Sequence, residues 1–62
     1  MLSENLKKAR EEKNWSQQKV ADAVGVSQAA INHFENGVKV PQLATMIALS
    51  KALGKSIDEL VK

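Results

Sequence analysis

The sequence predicts an all-α fold of five short helices, and three observations carry that reading. Ala, Leu, Lys, Glu and Gln are abundant while β-branched residues are scattered, a bias toward helix. Each of the three glycines follows an apolar run of helical period, where a backbone with positive φ is wanted. No strand-like alternation, internal repeat, linker or low-complexity tract interrupts the pattern.

Taken in order, Ser3 precedes Leu6, Ala9 and Arg10, a period near 3.6, and that run ends around Lys13–Asn14. Ser16 is placed to cap a second helix in which Val20, Ala21 and Val24 share a face, and Gly25 stops it. Trp15 before the cap and Val20 inside the helix are spaced as a hydrophobic staple, which gives Trp15 a place at the edge of the core rather than a base-stacking role. Ser27 repeats the device with Val26 and Ile31, and Asn36-Gly37 ends the third helix after Ile31 and Phe34. Pro41 is expected to open a fourth helix carrying Leu43, Met46, Ile47 and Leu53, with Leu49 flanking, Met46 and Ile47 filling the core, and Gly54 closing it. Ser56-Ile-Asp-Glu59 reads as a capping box for a last helix with Ile57, Leu60 and Val61 apolar.

Sixty-two residues amount to one domain, residues 1–62, with one modest core. The absence of cysteine removes disulfides and thiolate metal sites, and the lone His33 does not make a zinc site, so no metal and no cofactor is expected. No apolar run reaches membrane length and the start lacks a signal-peptide stretch, which leads to the expectation of a cytosolic protein with no membrane partner. Net charge is +2; Lys7, Lys8, Arg10, Lys13 and Lys19 crowd the first third, diluted by Glu4, Glu11 and Glu12. Charge alone therefore permits nucleic-acid binding without demanding it. Asp22 and His33 fall on different helices with no nucleophile between them, and no glycine-rich phosphate loop occurs, so the sequence speaks against an enzyme or a small-molecule substrate.

The second and third helices are joined by about Gly25-Val26-Ser27, and a turn that short with glycine sets two helices at a steep angle. Ala21 occupies the close crossing, and Val20, Val24, Val26, Ile31 and Phe34 point into the angle. Gln28, Ala29, Asn32, His33 and Asn36 are left on the outer face of the third helix, with no Asp or Glu from Gln28 through Phe34. A solvated helix face more often carries Lys and Glu at i,i+4 spacing. Neutral groups of this reach suit base edges: Gln and Asn on adenine, His on guanine N7, Ala on the thymine methyl.

The stretch SQQKVADAVGVSQAAINHFENG resembles the helix-turn-helix of the lambdoid phage repressor and Cro family, the XRE-type regulators, and the likeness covers essentially the whole chain. Its most specific elements are Ser16-Gln17, Ala21, Gly25, Ile31 and Glu35-Asn36-Gly37. The resemblance implies a lambda-repressor-like five-helix fold, major-groove entry of the third helix, and base contacts from Gln28 and Ala29, then Asn32 and His33. It implies phosphate contacts from Gln17, Asn36 and Lys39, with hydroxyl bonds from Ser16 and Ser27 and a DNA-facing role for Arg10. It also implies an ion bridge between Arg10 and Glu35. The segment after Gly37 departs from the family pattern, holding Lys39 alone between Val38 and Val40, and the recognition helix has no Arg or Lys. Adenine-containing steps are the expected targets.

One recognition helix spans few base pairs, so a two-fold homodimer on a palindromic operator is expected, formed on the DNA itself and paired through Val40, Ile57 and Val61. Repression by occluding polymerase is the expected outcome, with activation of a neighbouring promoter the alternative, for a bacterial or phage-encoded protein of the cytoplasm associated with the nucleoid. The competing reading is a protein-interaction or antitoxin-like module that keeps the fold without reading DNA; it would favour acidic or bulky apolar residues on the outer face, where the sequence has none.

Overall fold

The computed structural model describes residues 1–62 and contains five helices and no strand: α1 (Leu2–Glu12), α2 (Gln17–Val24), α3 (Gln28–Glu35), α4 (Leu43–Leu53) and α5 (Ile57–Val61). The helix boundaries follow local chemistry. Ser16 Oγ accepts the Lys19 N–H, Ser27 Oγ the Ala30 N–H and Ser56 Oγ the Glu59 N–H, so three of the five helices begin on a serine that satisfies an otherwise orphan donor. Gly25 and Gly54 close α2 and α4 in the left-handed region, at φ 83° and 67°. After α1 the same task falls to Asn14 at φ 58°, with the Trp15 N–H bonded to the Arg10 carbonyl at 3.2 Å and the Asn14 N–H to that of Glu11 at 2.9 Å.

The core is formed by Leu6 and Ala9 of α1, Val20 and Ala21 of α2, Ile31 and Phe34 of α3, Met46, Leu49 and Leu53 of α4, and Leu60 of α5. Ala21 is fully buried at 0% exposure, as a close α2–α3 crossing demands. Trp15, Val24, Val26 and Ile57 pack half-buried against this cluster, which puts both staple residues where the spacing predicts. Asn5 Nδ2 donates to the Leu60 carbonyl at 2.9 Å and ties α5 back to α1.

Three expectations are corrected. The first helix starts at Leu2, ahead of Ser3, which lies within its first turn. The fourth starts at Leu43 rather than Pro41: Gln42 is extended (φ −69°, ψ 163°), and the buried Pro41 ring packs ahead of the helix instead of opening it. The core face of α4 is also rotated. Leu49 is 1% exposed and belongs to the core, whereas Ile47 is 41% and Leu43 71% exposed. Met46, Leu49 and Leu53 form one i, i+3, i+7 stripe; Leu43 and Ile47 form a second beside it, and α5 and α2 cover only the first.

Candidate nucleic-acid interface

The site grows from the α2–α3 angle. Ile31 and Phe34 face inward, which turns positions 28, 29 and 32 of α3 and its C-cap Asn36 outward, and all four residues are exposed. Gln28, Ala29, Asn32 and the half-buried His33 line an open groove together with Gln17, the first residue of α2. Neither α2 nor α3 carries an acid in its first turn, so two helix N-termini contribute unopposed partial positive charge on this side of the molecule.

Next to Gln17 lies a polar cluster, centred on the buried Glu35, that joins three elements. Arg10 Nε donates to Glu35 Oε2 at 2.7 Å and Arg10 Nη2 to Oε1 at 3.1 Å, a bidentate pair. Arg10 Nη1 donates to the Trp15 carbonyl at 2.8 Å, and Gln17 Nε2 donates to Glu35 Oε1 at 3.1 Å. The Glu35 side chain is 4% exposed and accepts three N–H bonds, so its burial is compensated. Hydrogen bonding to Glu35 raises the Arg10 guanidinium above its already high ordinary value against the opposing effect of burial, with the charges of Glu35 and Glu11 adding to the rise. Arg10 is thus committed to holding the end of α3 and the entry to α2.

Several of the remaining site residues already have internal partners. Asn36 Nδ2 donates to Asn32 Oδ1 at 3.0 Å, one turn apart on the outer face. The His33 carbonyl accepts the N–H groups of Val38 and Lys39, which fixes the turn after α3 while leaving the Lys39 side chain exposed. Ser16 and Ser27 hold the caps described above. Val40 and Val61 are exposed; Val40 lies beside Leu2 and Phe34, whereas Ile57 packs half-buried on the core. The links from Gln17 to Glu35 and from Arg10 to the Trp15 carbonyl escaped the sequence reading, because an amide or guanidinium side chain carries no periodic signal for its partner.

The helix-turn-helix family profile matches residues 6–60. The HTH-type transcriptional regulator YqaE of Bacillus subtilis (strain 168) is 42% identical over 62 residues, which is 100% of this chain and 53% of that protein. The SPbeta prophage-derived HTH-type transcriptional regulator YonR of the same strain is 42% identical over 62 residues, 100% of this chain and 57% of that protein. Among solved structures, the P22 c2 repressor in complex with a synthetic operator superimposes with a TM-score of 0.97 at 34% identity, covering 100% of this chain and 94% of that one. The chain spans about half the length of the curated relatives it matches. These relatives are named as transcriptional regulators and a repressor. With 6–60 matched and the five helices superimposed on a phage repressor, the chain belongs to the helix-turn-helix family of transcriptional regulators and phage repressors.

Proposed function

We propose that this chain binds double-stranded DNA sequence-specifically and represses transcription, with α3 in the major groove. The observation that carries the reading is the acid-free groove of Gln17, Gln28, Ala29, Asn32 and His33, flanked by two helix N-termini without acids. Gln28 and Ala29 at the start of α3 read bases first, and Asn32 and His33 follow one turn on. The main-chain N–H of Gln17 at the α2 N-terminus takes a phosphate while its side chain stays on Glu35, and Asn36, Lys39, Ser16 and Ser27 supply further backbone contacts. The P22 c2 repressor was solved with an operator, which supports the same use of this near-superimposable fold. The protein acts as a homodimer on half-sites about 34 Å apart, in the bacterial cytoplasm on the nucleoid, through the exposed Val40 and Val61 with Ile57 beside them.

Anisotropy titration of selected and random duplexes at several salt concentrations tests this. A dimer making about six phosphate contacts gives a log–log salt slope near −5. No binding at low salt, or a flat salt response, refutes the reading in favour of a protein-interaction module. Within a selected operator, Gln28→Ala costs about 1–3 kcal/mol at one position of each half-site and leaves the others unchanged. A uniform loss at every position would make Gln28 a backbone contact.

A further inference from the structure

The ring of Trp15, the one tryptophan of the chain, holds two ammonium groups: Lys13 Nζ lies 5.0 Å and Lys19 Nζ 4.9 Å from its centroid. Trp15 is half-buried and anchored in the core as the staple of α2, so the two cations rest on a fixed platform. Neither lysine has a carboxylate partner; the ion pairs of the molecule are Arg10–Glu35 and Lys55–Glu12. Lys19 is the third residue of α2, its own N–H capped by Ser16, and the first turn of α2 has no acid. Two oriented cations therefore gather on Trp15 next to the acid-free first turn of α2, close in the chain to Gln17, which lines the groove together with α3.

Like charges are not drawn to one spot without reason, and here the aromatic quadrupole holds them while leaving each ammonium open to a second, anionic partner. We infer that Lys13, Trp15 and Lys19 form a basic ledge that takes the phosphodiester backbone of duplex DNA flanking the bases read by α3. This rests on the DNA-binding reading and adds a contact outside the helix-turn-helix groove. The ledge reads no base: it contributes affinity and salt dependence equally on every sequence.

The test compares three double variants by anisotropy on a labelled random-sequence duplex across a salt series. Lys13→Gln/Lys19→Gln removes the ledge cations. Lys8→Gln/Lys51→Gln removes the same number of charges from the α1 face next to α5 and from α4, and Lys13→Arg/Lys19→Arg keeps the ledge charged. The expected result is a salt slope shallower by about 2 per bound chain in the first variant, from a slope near −0.9 per phosphate, with wild-type slopes in the other two. Trp15 emission changes as the wild-type chain saturates with duplex, in step with anisotropy. An unchanged slope in Lys13→Gln/Lys19→Gln, or an equal fall in the Lys8/Lys51 control, overturns the ledge while leaving DNA binding by α3 intact. Failure of the wild-type chain to bind any duplex at low salt overturns both.

Discussion

Helices α3 and α5 begin with the same chemistry and diverge within one turn. Ser27 Oγ accepts the Ala30 N–H at 3.1 Å, and Ser56 Oγ accepts the Glu59 N–H at 3.1 Å. In α5 the cap is then reinforced: Asp58 and Glu59 sit in the first turn, and Glu59 Oε1 accepts the Ser56 N–H at 2.9 Å. In α3 the first turn is acid-free, and the helix's acid, Glu35, stands at its last residue, where the macrodipole disfavours it. A five-residue helix is thus given acids as well as a cap, while the eight-residue α3 has the cap without the acids and carries a liability at its end. The difference separates two helix starts: one whose partial positive charge is met by acids of its own first turn, and one that carries none, as the proposed phosphate contacts require.

The largest consequence concerns Glu35. Its position is tolerable because Arg10 and Gln17 satisfy it, so Glu35→Ala leaves the half-buried Arg10 with the Trp15 carbonyl alone and costs about 3 kcal/mol of stability, the lower end for a buried pair, measured by urea unfolding. A loss under about 1 kcal/mol would match an exposed surface pair and remove the contrast at the helix end. Next in size are the caps. Ser27→Ala and Ser56→Ala each cost about 1 kcal/mol, because the same bond is lost in both, yet only Ser27→Ala also weakens duplex binding. A loss of duplex binding on Ser56→Ala would place α5 at the interface as well. Smaller again is Ala29→Glu, which gives α3 the acidic first turn that α5 has. Thermal stability rises by about 0.3–1 kcal/mol while duplex affinity falls, so the two assays move in opposite directions.

How much of this was legible in the sequence depends on whether the determinant is local. Ser16, Ser27 and Ser56 act three residues away and Gly25, Gly37 and Gly54 act on their own backbone, so the starts of α2, α3 and α5 and the ends of α2, α3 and α4 could be read directly. The acid-free outer face of α3 was legible for the same reason: Ile31 and Phe34 fix which side is inward, and the rest follows from a period of 3.6. α4 defeats that method, because Leu43, Met46, Ile47, Leu49 and Leu53 offer two overlapping stripes and only the packing of α2 and α5 chooses between them. The Glu35 cluster gathers residues 10, 15, 17 and 35, with partners up to 25 positions apart, and no window of sequence contains it.

The smallest effect is the one that isolates α5. The Glu59 carboxyl is held below its ordinary value of 4.5 by its hydrogen bond from the Ser56 N–H first, then by the Ser56 hydroxyl, with Lys55 and Lys62 adding and slight desolvation opposing. A depressed folded-state value means the unfolded chain binds more protons in that window, so the contribution is present above about pH 4.5 and is lost as pH falls through the folded value. Because Glu59 is fully exposed, the loss is local and screened by salt rather than a global unfolding step. Amide protection factors read this directly: in acid the Ser56 and Glu59 amides lose protection while the Ala30 amide, whose cap accepts from no acid, keeps its own. Glu59→Gln makes the α5 amides insensitive to that pH range. If Ala30 loosens alongside Glu59, or if Glu59→Gln leaves the acid loosening of α5 unchanged, the two helix starts respond as one body and the division between an internally neutralised N-terminus and an open one fails.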